Sequence, residues 1–539
     1  MVLARFFRVP FSHAKLIYVV SLFLAVVLNW PLFEAIASWL TQNPILPILG
    51  ILILLFAINV IVLSIFNQAY IVKAVAIVLL IGSASARYFY DQYGTLIDDS
   101  MLINALETNP AEVRELFTWN LLSYLLFLGI IPAAIVAWLP TKSEPWIRRN
   151  RQNLLRIVVT FVAIVVVLFS QYGTYASLFR EHREIKYIAT PLNWISASVK
   201  VAQEKLSSNK PPEFMQIANN TQLQSHSDKP QLWVLVVGET ARAQNFGLNG
   251  YERQTTPMLQ QKVDSGEVIN FSKVSSCGTA TAVSVPCMFS YLTKDQYDET
   301  LAKHSSNLLD VFKSAGFNVV WVDNNSGCKS MCDRVDSEQI TPEKETPEAC
   351  GGDTYCQDTI LPSKVRGYLQ QAKGNTLLVV HMVGSHGPDY SKRSPQQYKA
   401  FLPECESAQL DECPQQQVVN AYDNTIATTD AVLSQLIDEL DSYSAFKRGL
   451  FYVSDHGESL GEDGIYLHGL PYWMAPTTQT HVPQIIWLPD SQQQQRDCLK
   501  AQADKAWSHD NLFSTMLGLA DISTSLYQAD MDISASCSN

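Results

Sequence analysis

The strongest constraint on this chain of 539 residues is an internal division: long apolar runs fill its first 175 residues, while all ten cysteines lie between Cys277 and Cys537. A helix needs roughly 20 apolar residues to cross a bilayer. Five segments are apolar for about that length: Ala14 to Phe33, Ile45 to Phe66, Tyr70 to Ala86, Trp119 to Leu139 and Leu154 to Tyr172. The third is the shortest and is interrupted by Lys73. No small-residue cleavage motif closes the first and four more runs follow it, so it reads as a span and not as a removable signal.

Orientation follows from the cations in short flanking loops. Arg5, Arg8 and Lys15 precede the first span, and Lys142, Arg148, Arg149, Arg151 and Arg156 lie between the fourth and fifth. Both groups belong on the cytoplasmic side. The loop between the third and fourth spans is acidic instead, with Asp91, Asp98, Asp99, Glu107, Glu112 and Glu115 against Arg87 and Arg114. Five crossings then place everything after residue 175 outside. The expected organisation is a transmembrane domain over 1–174, a connector and linker over 175–230, and an external domain over 231–539.

An even cysteine count confined to the external part fits an oxidising compartment. The close pairs predict local bridges: Cys277 with Cys287, Cys328 with Cys332, Cys350 with Cys356, and Cys405 with Cys413, leaving Cys498 with Cys537. A cysteine zinc site is disfavoured, because no CxxC pair occurs and the pairs are scattered. The net charge of -12 argues against nucleic acid as a partner, which calls for a basic face.

The external domain opens on Gln231 to Val237 (QLWVLVV), a run with the character of a strand buried on both faces. Similar runs recur at Phe317 to Val322, Thr376 to Met382, Gly449 to Ser454 and Pro483 to Leu488. Helical patterns at Asn307 to Ala315 and Val418 to Leu440 lie between them, so the expected fold is an α/β sandwich. Open α/β sheets place their ligands at the carboxyl ends of parallel strands. Here those ends carry Glu239, then His381 and His386, then Asp455 and His456, with His468 shortly after. Glu239, Asp455 and His456 are of the right types to share one cation. His304 and His509 sit in no such glycine-rich strand exit and read as structural. The stretch Ser276 to Cys287 (SCGTATAVSVPC) adds Thr279, Thr281 and Ser284 between two cysteines. These residues alone do not decide whether one of the hydroxyls is a nucleophile.

Five motifs taken together resemble one family. They are Gly238-Glu-Thr-Ala-Arg242, the Ser276 to Ser290 loop, Asp323-Asn-Asn-Ser326, Ser385-His-Gly-Pro388, and Ser454-Asp-His-Gly-Glu-Ser-Leu-Gly-Glu462. They resemble those of the phosphoethanolamine-lipid A transferases, which include the mobile colistin-resistance enzymes. The resemblance runs through nearly the whole chain. It implies a five-span membrane domain joined to a catalytic domain of the alkaline phosphatase and sulfatase type, in a bacterial inner membrane with the catalytic domain periplasmic. It implies a zinc ion held at Glu239, Thr281, Asp455 and His456, with a second ion left undecided, and it selects Thr281 as nucleophile. The implied donor is phosphatidylethanolamine and the implied acceptor is a lipid A phosphate. His386, His468 and Lys329 match positions that bind the transferring phosphate or serve the leaving group. Asn325 and His381 are weaker substrate-binding matches from the same motifs. Asn104, Thr108 and Glu112 match positions that hold the donor lipid. One departure is Ser385, where the colistin-resistance relatives typically carry asparagine.

Three other functions fit less well. A phosphoglycerol transferase of the lipoteichoic acid synthase type shares five spans, but the cysteine-rich Thr281 loop argues against it. A sulfatase needs a Cys-x-Pro-x-Arg or Ser-x-Pro-x-Arg sequence, which is absent. A non-catalytic lipid-binding protein on this fold would be expected to have lost Glu239, Thr281, Asp455 or His456, and all four are present. Topology supports the rest, so a periplasm-only reporter fused after Leu206 should be active and one fused near Arg149 inactive. The opposite pattern would overturn the orientation.

Overall fold

A computed structural model of the chain describes residues 11–40, 44–107, 110–142, 145–207, 213–224, 229–346, 350 and 356–537. Arg5 and Arg8 lie outside them. The chain forms two compact units, one of Met1–Leu102 and Phe117–Leu206, the other of Ile103–Leu116 and Ser207–Asn539.

Among the described residues of the first unit, four helices are long and apolar enough to cross a membrane: Ile45–Ile65, Ala69–Tyr93, Trp119–Trp138 and Trp146–Ser170. A bent pair, His13–Val26 and Trp30–Trp39, makes a fifth when counted as one span. The 44° bend falls at Asn29, just before Pro31, which has no N–H to continue the ladder. Asn29 compensates by donating its side-chain amide to the Leu24 and Thr190 carbonyls at 2.8 and 2.7 Å. A second proline, Pro132, follows a π-helical turn over Leu125–Ile130, where the same missing donor accompanies a widened register.

Two details differ from the sequence reading. The helix containing Lys73 is 25 residues long, not the shortest, because the ammonium bonds the Ala137 and Leu139 carbonyls at the end of the next span. Arg148, Arg149 and Arg151, expected in a loop, lie in the first turns of Trp146–Ser170, where nothing in the sequence breaks the helix before the apolar run. The stretch read as connector contributes the helices Tyr172–Glu181, Ile185–Ile188 and Leu192–Ser207 to this unit.

The second unit is built on an eight-stranded sheet. Its strands are β1 (Gln231–Gly238), β2 (Val268–Ser275), β3 (Asn318–Asp323), β4 (Asp336–Gln339), β5 (Thr376–His381), β6 (Lys447–Ser454), β7 (His481–Trp487) and β8 (Trp507–Ser508), in the order β8-β2-β7-β6-β1-β5-β3-β4. β1 pairs in parallel with β5 and β6, and β3 in parallel with β5 and β4. β7 runs antiparallel to both its neighbours, so the fifth apolar run is a strand that reverses direction.

Side chains alternate across the sheet into two cores. Leu232, Val234 and Val236 face helix Gln415–Asp441, while Trp233, Leu235 and Val237 face helices Thr281–Phe289 (α1) and Asp510–Leu519. Gln415–Asp441 (α2) extends the expected Val418 to Leu440 pattern by one turn, and Leu308–Ser314 starts at a capping box of Asn307 and Asp310. The expected disulfides all form and no described cysteine is free. Gln222–Leu223, in the stretch read as linker, pairs with Ile522–Ser523 near the end of the chain.

Candidate active site

The order β6-β1-β5-β3 puts four strand exits side by side. They deliver Asp455 and His456, Glu239, His381, and Asp323 to one edge of the sheet. Every one of these is buried, with Glu239, Asp455, His456 and His381 fully so. His456 Nε2 lies 3.3 Å from Glu239 Oε1 and 3.3 Å from Asp455 Oδ2. Thr281, the first residue of α1, brings its hydroxyl to the same place: Oγ1 is 3.1 and 3.2 Å from the two Glu239 oxygens and 3.4 Å from His456 Nε2.

Several bonds fix this hydroxyl. The Cys277–Cys287 disulfide closes the loop around the helix start, and Gly278 N–H donates to Ser284 Oγ at 3.1 Å. His509 accepts the Cys277 N–H at Nδ1 and donates from Nε2 to the Ser454 carbonyl, which ties the loop to β6. Those two bonds require a neutral ring, and burial pulls the His509 pKa down to about 4. Thr279 is turned away from the cluster, donating to the Leu470 carbonyl at 2.6 Å.

Two acids and an imidazole buried side by side perturb each other strongly. Burial pushes the Asp455 carboxyl up to about 6, and the Glu239 charge adds to the effect. Burial acts against protonated His456, but Asp455 and Glu239 raise it to about 10. Burial alone would raise Glu239, yet the hydrogen bond and charge of His456, with His386 and His468, hold it well below the usual carboxylate range.

The group fits a divalent cation. Glu239, Asp455 and His456 each offer a ligand atom within 4.8 Å of the others. Asp455 Oδ2 is buried without a hydrogen-bond partner. His456 Nδ1 bonds the Gly457 carbonyl at 2.9 Å, and since a carbonyl only accepts, Nδ1 keeps a proton and Nε2 is the nitrogen that faces the acids, able to offer its lone pair to a cation once its own proton leaves. Two carboxylates, an imidazole and a neighbouring hydroxyl make up an oxygen and nitrogen set of the kind zinc accepts.

A second tier supports Glu239. Asn325 Nδ2 donates to Glu239 Oε2 at 2.6 Å and to the Met382 carbonyl at 2.9 Å. His381 Nδ1 lies 3.0 Å from Asp323 Oδ2, with its Nε2 4.0 Å from Glu239 Oε2. Although burial disfavours its charged form, Asp323 raises the His381 pKa.

The chain is 38% identical to phosphoethanolamine transferase EptA of Salmonella typhimurium over 547 residues, covering 99% of both chains. It belongs to the phosphoethanolamine transferase family. Phosphatidylethanolamine transferase Mcr-1 of Escherichia coli is 36% identical, with 96% of each chain covered. The solved integral membrane lipooligosaccharide phosphoethanolamine transferase A of Neisseria meningitidis superposes with a TM-score of 0.93 at 35% identity, covering 98% of this chain and 99% of that one. The family described as phosphoethanolamine transferase EptA/EptB matches residues 55–206, and the sulfatase family matches residues 231–522.

In this transferase the other residues singled out from the sequence are distributed unevenly. His468 is half-buried beside the cluster, its ring centroid 4.3 Å from that of His456, and its Nδ1 lies 3.3 Å from buried Glu458. His386 is 5.7 Å from His468 by ring centroids, and burial pulls its pKa down to about 3. Lys329 follows β3 at a positive φ of 49° and bonds the Ser326 carbonyl at 3.3 Å, not the cluster. Asn104 lies on helix Asp99–Glu107. Thr108 and the Glu112 side chain lie outside the described residues. Ser385 is buried against α2, 2.6 Å from Thr425 Oγ1, so the departure from asparagine does not touch the ligand set.

Sequence reasoning passed over Asp323 and Glu458, which pair with His381 and His468. Both stand inside motifs already quoted, so the signal was present.

The metal reading has a signed pH dependence. Near neutral pH His456 carries a proton that must leave when a cation binds, whereas Asp455 is already largely ionised, so raising the pH favours the ion by about one proton. For the full chain in detergent, competition with a chelating dye should show Zn2+ binding about tenfold tighter per pH unit between about pH 7 and 8. Asp455→Ala should lose most of the metal. Affinity independent of pH would contradict the proton placed on His456.

Proposed function

We propose that this protein sits in a bacterial inner membrane and transfers phosphoethanolamine from phosphatidylethanolamine to a lipid A phosphate, through a covalent intermediate on Thr281. The observation that carries this is the Thr281 hydroxyl, held within 3.4 Å of Glu239 and His456 at the strand exits of a phosphoethanolamine transferase fold. Five disulfides in the catalytic unit accord with a periplasmic location.

The chemistry is two displacements at one phosphorus. Thr281 Oγ attacks the phosphorus, the bond to the diacylglycerol oxygen breaks, and the hydroxyl proton is passed on so that diacylglycerol leaves protonated. A lipid A phosphate oxygen then attacks the same phosphorus and gives up its proton, the bond to Thr281 Oγ breaks, and that proton returns to the threonine hydroxyl. Glu239 accepts the Thr281 hydroxyl hydrogen bond and so directs the oxygen lone pair outward. A threonine hydroxyl is a weak nucleophile without such activation. A zinc ion bound by Glu239, Thr281, Asp455 and His456 would supply positive charge to lower the hydroxyl pKa and offset charge on the phosphoryl oxygens.

His468 and His386 are assigned to the leaving-group side. His468 is the better placed to exchange a proton, being half-buried and backed by Glu458. Lys329 is assigned to the phosphoryl oxygens as a flexible cation. Capping an acceptor phosphate with phosphoethanolamine adds an ammonium to an anionic surface, which weakens the hold of cationic peptides such as polymyxins.

The two threonines give a controlled test by mass spectrometry of lipid A from cells. Thr281→Ala deletes the covalent step and should abolish transfer, a loss of more than about a thousandfold. Thr279→Ala removes one hydrogen bond, worth about 0.5–1.5 kcal/mol, and should cost no more than about tenfold. Equal losses from the two variants would overturn the assignment of Thr281.

A further inference from the structure

The acidic segment between the third and fourth spans contributes more than solvated charge. Its residues Ile103–Leu116 fold into the catalytic unit. Two ion pairs hold them there: Lys303 with Glu107 at 3.2 Å, and Arg393 with Glu115 at 2.5 Å. The second pair is buried, with the Arg393 and Glu115 side chains only 3% and 4% exposed. Arg393 also donates from Nε to the backbone carbonyl of His386 at 3.0 Å. A guanidinium can do both, because its fork presents several donors in one plane.

We propose that Glu115 and Arg393 are positioning residues for the transfer: Glu115 fixes the Arg393 guanidinium, and Arg393 fixes the backbone of His386. This rests on the reading of His386 as a group on the leaving-group side of the transfer. The loop they brace has little slack. Ser385 N–H donates to the Glu239 carbonyl at 3.0 Å, and Gly384, at a φ of +52°, lies so close that a Cβ there would stand 2.6 Å from the same oxygen. A displacement of the loop would therefore reach His386 and the Glu239 backbone together. Removing one member of a buried pair leaves the other charge uncompensated, so the loop would not stay in place. The membrane-linking segment thereby becomes part of what sets the catalytic geometry, although neither Glu115 nor Arg393 belongs to the ligand cluster.

The test uses the full chain in detergent, with phosphatidylethanolamine as donor, lipid A as acceptor, and thermal unfolding followed in parallel. Glu115→Ala and Arg393→Ala should each lower kcat by about ten- to a hundredfold, with the donor KM within about twofold, since misplacement acts on the chemical step. The double variant should be no worse than the poorer single variant, because both act through one link. Glu115→Gln keeps a hydrogen-bond acceptor but not the charge, so it should lose less activity than Glu115→Ala at a comparable fall in melting temperature, which separates positioning from folding. Losses confined to KM, multiplicative losses in the double variant, or losses that only track the unfolded fraction would overturn the proposal. His386→Ala separates the two ideas. Full activity of His386→Ala would remove the reading of His386, whereas an inactive His386→Ala beside a fully active Arg393→Ala would overturn the positioning role alone.

Discussion

Two carboxylates and an imidazole are buried together at the exits of two adjacent parallel strands, and the catalytic unit is organised around the cost of keeping them there. An ionised side chain taken from water into a protein interior costs several kcal/mol unless it is paired and hydrogen-bonded. Glu239 is repaid by Asn325 and Thr281, and Asp455 by the amides of Thr240 and His456. One oxygen, Asp455 Oδ2, has no such bond. That deficit, beside a histidine whose Nε2 faces the acids, is what a bound cation would relieve. The parallel register of β1 with β6, which aligns Gly238 with Ser454, sets the spacing of the whole group.

Around this cluster the chain spends bonds on orientation. The Thr281 loop is closed by a disulfide, tied to β6 through His509 and tied to the His468 segment through the Thr279 bond to Leu470 and the Gly469 N–H bond to the Thr279 carbonyl. The His386 loop is braced by Arg393 and Glu115. Phosphoryl transfer gains mostly from positioned charge and fixed reactants, so rigid surroundings for one hydroxyl are what the reaction requires. The apolar helices of the other unit suit the lipid donor and acceptor proposed above.

Strands β1, β5 and β6 were legible in the sequence because both their faces are buried, which leaves continuous apolar runs. β2 was not, since its exposed Lys273 and Ser275 break the run, and β4 carries no apolar residue at all. The direction of β7 was invisible for a different reason: a fully buried strand has the same composition whichever way it runs. At the site, residue types at strand exits pointed to Glu239, Asp455 and His456, while the choice of Thr281 over Thr279 came from family resemblance. Geometry now separates those two hydroxyls, one facing the acids and the other a carbonyl. The link from Glu115 through Arg393 to His386 spans 278 positions and had no local signal.

The covalent intermediate is the point on which the proposed chemistry stands. The most direct measurement incubates the full chain with phosphatidylethanolamine and no lipid A, then maps the Cys277 to Cys287 peptide by tandem mass spectrometry. The expected result is one phosphoethanolamine group on Thr281, with an equal amount of diacylglycerol released. Modification of Thr279 or Ser284 instead, or lipid A transfer by an enzyme whose loop never carries the group, would contradict it.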